Sequence, residues 1–146
     1  MEKDIEKLKE LEKSFIINSD AELEDYTELI RRSSRYAKVD NYGYVILGEK
    51  TSNKFTIKES IVLVLITRYL ANKLQEKLKK DITIQEEVSA DEIARISNSK
   101  KSVVMARAKE LKDSRKIFSG KKKGTYKIAP HYIKTFLDLK SSNNNL

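Results

Sequence analysis

The run Ile61-Val-Leu-Val-Leu-Ile66 sits inside a longer stretch with helical periodicity. Ile57, Ile61, Leu65, Tyr69, Leu70, Leu74 and Leu78 mark one stripe over about six turns. Val62, Leu63, Val64 and Ile66 widen it until the first half of the helix is apolar on nearly every side. Such a helix has no face to give to water, so other elements must cover it all round. A bilayer does not fit as that cover. The run is six residues long, a membrane span needs about 20, and Lys58, Glu59 and Arg68 surround it. Helix 57–80 is therefore expected to lie sandwiched between an N-terminal extension and a C-terminal domain.

Three helix starts share one device. Ser19-Asp-Ala-Glu22, Thr56-Ile-Lys-Glu59 and Ser89-Ala-Asp-Glu92 each fit the capping box. In it a hydroxyl accepts from the N3 amide and the N3 carboxylate reaches back to the N-cap amide. Upstream, helices are expected over 2–17, with Ile5, Leu8, Leu11 and Phe15 on one face, and over 20–35, with Leu23, Tyr26 and Ile30 as the stripe. Both are otherwise highly charged, and their narrow seams suit packing on the body of the protein or on a second copy. Residues 36–47 read as two short strands about a turn at Asn41–Gly43, and "GEKTSNK" reads as a loop.

Downstream of helix 57–80, Ile82 and Ile84 alternate with polar residues and predict a strand ending near Val88. Helix 89–97 is followed by the turn Ser97-Asn98-Ser99, with Ser99 as the expected N-cap of a helix reaching Asp113. Val104, Ala108 and Leu111 form its inner edge. Ile117, Tyr126 and Ile128 then flank Gly120-Lys-Lys-Lys-Gly124, which predicts a β-hairpin with a lysine tip. Pro130 suits the first position of a last helix, with Ile133, Phe136 and Leu137 on its inner face. The chain divides into an extension (1–55), a main domain (56–140) and a disordered tail (141–146).

The net charge of +8 is unevenly placed. Residues 1–55 hold 10 Lys/Arg and 12 Asp/Glu (10 − 12 = −2), residues 56–96 hold 7 and 7, and residues 97–146 hold 13 and 3 (13 − 3 = +10). An excess confined to the last third implies an anionic partner, a nucleic acid or an acidic protein surface.

The order helix, strand, helix, tight turn, helix, hairpin, helix is carried by "SADEIARISNSKKSVV" and "VMARAKELKDSRKIF" with the hairpin 115–128 after them. Residues 57–140 thereby resemble a winged helix-turn-helix domain of the bacterial and archaeal transcription-regulator type. Ala94 stands at the small position where the two helices cross. The fold class expected is mainly α with a small β-wing (α+β). The resemblance implies a double-stranded DNA partner, with helix 99–113 entering the major groove and the wing lying along the backbone. Winged helices also serve as protein-binding modules, and the same lysines permit structured RNA.

Local chemistry agrees with an anionic partner. Ser99, Lys100, Lys101 and Ser102 bring donors and cations to a helix N-terminus, where free amides favour phosphate. A projection at 100° per residue turns Ser102, Met105, Ala106, Lys109 and Asp113 away from the core, with Val103 and Arg107 on one flank. Met105 and Ala106 make no bidentate pair with a base edge, so affinity is expected mainly from phosphates. The residues expected to carry it are Lys100, Lys101, Lys109, Lys121, Lys122 and Lys123, then Arg107, Lys116 and Lys127.

Enzymatic readings find little support. His131 is the single histidine and there is no cysteine, which argues against zinc and thiolate chemistry. "GKKKG" leads into a strand, where a phosphate loop requires a helix. No cofactor is expected. The absence of cysteine and of a leader-like apolar segment suits a cytoplasmic setting. A homodimer through the N-terminal helices is expected, because paired winged helices meet two half-sites.

Overall fold

The computed structural model of the chain describes residues 2–16 and 26–144. The box at Ser19–Glu22 and the start of the expected helix 20–35 lie outside them. Helices α1 (Glu2–Phe15) and α2 (Tyr26–Ser33) come first, then strands β1 (Ala37–Val39) and β2 (Val45–Leu47), paired antiparallel with Ala37 opposite Leu47. A six-residue helix, α3 (Glu49–Lys54), occupies the stretch expected to be a loop. Thr51 secures it, its buried hydroxyl donating to the Tyr36 carbonyl at 2.8 Å.

Helix α4 (Ile57–Lys77) begins with the complete capping box. The Glu59 amide donates to Thr56 Oγ1 at 3.2 Å, and the Thr56 amide donates to Glu59 Oε1 at 2.9 Å. Every residue from Ser60 to Leu70 is buried. The elements that follow are β3 (Val88–Ser89), α5 (Ala90–Ser97), α6 (Lys101–Asp113), β4 (Ile117–Ser119), β5 (Thr125–Ile128) and α7 (Pro130–Asn144). Helix α4 packs against α2, β1 and β2 before it and against α5, α6 and β5 after it. The sandwiched position expected for α4 is therefore observed. Tyr26, Leu29, Tyr36, Ala37 and Val45 enter the same core as Ile93, Val104, Ile117 and Ile133, so residues 26–47 are part of the main body. The fold is α+β and mostly helical, with one two-stranded and one three-stranded antiparallel sheet, the latter ordered β3-β5-β4. Among the described residues no helix is long and apolar enough to cross a membrane.

Three expected boundaries move. The strand anticipated from Ile82 shrinks to Val88–Ser89, because side chains of α4 engage the backbone that a ladder would use. Gln75 Oε1 accepts from the Ile84 amide at 2.6 Å, and Asn72 donates to the Ile84 carbonyl at 2.8 Å. Arg68 donates to the carbonyls of Gln85 (2.6 Å) and Glu87 (3.3 Å). Second, α4 stops at Lys77 in a Schellman motif. Lys79 adopts φ 57°, its amide reaches Glu76 O, and the Lys80 amide reaches Gln75 O, both at 3.0 Å. Third, α7 continues to Asn144, through most of the stretch expected to be a tail. A helix anchored by buried Ile133, Phe136 and Leu137 propagates cheaply past its last core contact. Lys140 supports that end by pairing with Glu59 and lying over the Phe55 and Phe136 rings. Burial pushes its ammonium pKa below the usual lysine value.

Arg68 is the polar exception in the apolar half of α4. It is 8% exposed and also donates to the Gly43 carbonyl and to Glu92 Oε1, both at 3.0 Å. One guanidinium thus joins the β1–β2 turn, the 79–87 segment and α5. Replacing Arg68 by Leu leaves three carbonyls and one carboxylate without their donor. It should cost about 3 kcal/mol in urea unfolding, the low end for a broken buried pair because Glu92 is partly exposed. Lys79→Gly should act oppositely and stabilise by about 1 kcal/mol in the same measurement, since glycine enters the left-handed region without a Cβ clash.

Candidate nucleic-acid interface

Helix α5 starts at Ser89, whose hydroxyl accepts from the Glu92 amide at 3.1 Å. The reciprocal half of the box is replaced, because the Glu92 carboxylate pairs with Arg68. The helix ends in a second Schellman motif, with Asn98 at φ 53° and the Ser99 amide donating to Ala94 O at 2.9 Å. Asparagine tolerates this conformation better than most residues, which makes the turn into α6 tight.

Val104, Ala108 and Leu111 are the buried residues of α6, as its periodicity predicts. Their burial fixes the roll of the helix and therefore what it shows to solvent. The N-cap is Lys100, one residue later than expected, and no side chain caps the end. Ser99 does not take that role because its hydroxyl is engaged with Ser97, donating to the Ser97 carbonyl at 3.2 Å. The first turn of α6 thus opens to solvent beside exposed Lys100, Lys101 and Ser102.

The β4–β5 hairpin is anchored by Ile117 (opposite Ile128) and by Tyr126 (opposite Ser119), all buried except Ser119. Its loop is Gly120–Gly124, and Gly124 needs the left-handed conformation at φ 79°. Three further bonds set the loop. The Gly120 amide donates to Thr125 O at 2.8 Å, Thr125 Oγ1 donates to Lys122 O at 2.6 Å, and the Lys121 amide donates to Glu87 Oε1 at 2.9 Å. Glu87, which sequence reasoning passed over, thereby ties the lysine tip to the segment before β3.

Between α6 and this loop lies a groove of about 670 Å³. Lys101, Met105 and Lys112 line it from the helix, and Lys121, Lys122 and Lys123 from the hairpin. Five lysines thus face it against one lining carboxylate, Asp91, which pairs with Lys101 at 3.3 Å. Among the described residues no carboxylate pairs with the three loop lysines, nor with Lys100 or Lys109. Concentrating like charge on a concave surface raises its potential and favours an anion that bridges the two walls.

The other expected site residues fall elsewhere. Ser102 and Lys109 are exposed on the crest of α6, outside the groove. Arg107 lies on the far flank, bonded to Glu110 at 3.2 Å, and Glu110 also takes Lys58 at 3.2 Å. Lys116 sits over the Tyr132 ring, 5.2 Å from its centroid. Lys127 stands opposite Phe118 on the hairpin and does not line the groove. Lys112 was missed. Its Nζ donates to Ser119 Oγ at 3.3 Å and lies 5.7 Å from the Tyr126 ring centroid, so it spans helix and hairpin. The signal was available, since Lys101, Met105 and Lys112 follow each other at i, i+4 and i+11 along one helical row. His131 is exposed, and the described residues hold no cluster suited to a metal ion.

The loop geometry leaves no room for a side chain at residue 120. A Cβ there would lie 2.2 Å from Thr125 Oγ1 and 2.9 Å from Glu87 Cδ. Gly120→Ala should therefore break the Thr125 and Glu87 bonds while the core stays intact. The expected result is faster hydrogen exchange at the Lys121 amide, with global stability lowered by no more than about 2 kcal/mol.

No family model matches the chain, and neither a curated protein nor a solved structure was found to be similar to it.

Proposed function

We propose that the protein is a non-enzymatic double-stranded DNA-binding protein of winged-helix type, a transcription regulator or chromosome-associated factor. The observation that carries this reading is the groove, where Lys101 and Lys112 of α6 face Lys121, Lys122 and Lys123 of the hairpin. The element order from α4 to α7 and the sheet order β3-β5-β4 agree with a helix-turn-helix followed by a wing. In this reading α6 enters the major groove by its N-terminal half, and the lysine tip lies on the flanking phosphates.

Chemistry on α6 sets what kind of DNA binding is expected. Lysine is a point charge on a flexible stem and reads phosphate without reading sequence. Met105 is 46% exposed and Ala106 is exposed. They offer contact to a thymine methyl and no paired hydrogen bonds to a purine edge. Affinity therefore rests on phosphates, and sequence preference is modest.

With about six phosphates neutralised, log K for duplex DNA should fall against log[salt] with a slope of about −5. Replacing Lys121, Lys122 and Lys123 together by alanine should leave thermal unfolding unchanged, weaken binding alike on unrelated sequences, and reduce the slope by up to about 3. Parallel titrations with duplex RNA and with an acidic protein identify the preferred anion. Absence of salt-sensitive DNA binding at low salt overturns the proposal.

A further inference from the structure

Helix α1 contains no buried residue. Its apolar side chains are open to solvent: Ile5 is 54% exposed, Leu8 64%, Leu11 60% and Phe15 88%. At 100° per residue these four fall on one stripe. The comparable seam on α2 is used within the chain, since Tyr26 and Leu29 are buried in the core. A 14-residue helix is marginal in water on its own, and an uncovered stripe of this kind marks an interaction surface.

The charges around the stripe select its cover. Helix α1 carries Lys3, Lys7, Lys9 and Lys13 against Glu2, Asp4, Glu6, Glu10 and Glu12 (4 − 5 = −1), which disfavours nucleic acid and anionic lipid. Glu12 projects within the arc between Leu8 and Ile5, so a lipid surface would have to bury it unpaired. A second copy resolves this. With Leu8 and Phe15 at heptad position a and Leu11 at d, Lys7 takes g and Glu12 takes e. In a parallel, in-register pair Lys7 of each chain meets Glu12 of the other, so the ion pair forms twice, at the cost of Asp4, which takes d in the first turn and faces Asp4 of the second copy. An antiparallel pair instead sets Glu12 against Ile5 and Asp4 against Phe15, with no opposite charges opposed.

We infer that α1 is a homodimerisation element that pairs in parallel and in register with α1 of a second copy. The inference does not depend on the DNA-binding reading. Two heptads give a weak interface, so dimer and monomer exchange in the micromolar range.

The chain has no cysteine, so single introduced thiols report geometry in the full-length protein. Under mild oxidation Leu11→Cys should cross-link to a dimer, and Lys9→Cys, on the outer face, should not. Because Leu11→Cys itself removes apolar area from the seam, charge exchange supplies a second test by sedimentation. Lys7→Glu and Glu12→Lys should each weaken self-association roughly tenfold, by turning two attractive pairs into repulsive ones. Mixing the two variants should restore a heterodimer. A wild-type chain that stays monomeric across the micromolar range overturns the inference. So does a dimer that Leu8→Lys with Leu11→Lys leaves intact, or one that ignores the charge exchange.

Discussion

Everything in the body of this protein is arranged to keep water from α4. Eleven consecutive residues of that helix, Ser60 to Leu70, are buried, and no single neighbour can cover a cylinder on all sides. The chain meets the demand with α2, β1 and β2 from before the helix and with α5, α6 and β5 from after it. Apolar contact alone would leave these layers free to slide, because burial is proportional to area and carries little direction. Direction comes from the polar residues α4 does contain. Arg68, Asn72 and Gln75 each hold backbone groups of the loop or turn that passes them. A buried arginine is costly unless its donors are used, and four acceptors from three segments use them here.

This core determines where the cations stand. The same burial that covers α4 sets the roll of α6 through Val104, Ala108 and Leu111, and it seats the hairpin through Ile117, Tyr126 and Ile128. Lys112 on the helix and Lys121–Lys123 on the loop then share one concavity. Glu87 adds a local tie, from the segment that Arg68 holds at one end to the lysine tip at the other. The proposed partner surface thus has a packed base and exposed lysine stems, which suits a polyanion of regular backbone better than a small ligand of fixed shape.

The sequence showed where helices begin far better than where they end. Hydroxyl caps at Thr56 and Ser89 announce themselves by residue type, whereas α4, α5 and α6 all terminate with Lys79, Asn98 or Arg115 in the left-handed conformation. Two of those three are residues no turn rule would choose, and glycine, the usual marker, is absent from all three positions. The strand expected over Ile82–Val88 misread alternation that serves another purpose. Ile82 is 88% exposed while its neighbours' backbone is held by α4, a tertiary arrangement that local pattern does not encode. The lysine-tipped hairpin and the inner edge of α6 were legible because burial there follows strict periods. The groove was only half legible. A projection of α6 finds its outward crest, but the hairpin leans over one side of that crest, and this brings in Lys112 and leaves out Lys109 and Arg107.

The central claim is that one face, built from α6 and the β4–β5 loop, meets duplex DNA. Backbone amide mapping by NMR during titration with a short duplex tests this most directly. The account predicts that shifts concentrate at Lys100–Met105, Lys112 and Ser119–Thr125, while Lys58, Arg107, Glu110 and Lys116 stay unperturbed. Shifts centred on the Arg107–Glu110 flank or on the β1–β2 hairpin, or no shifts at low salt, would contradict it.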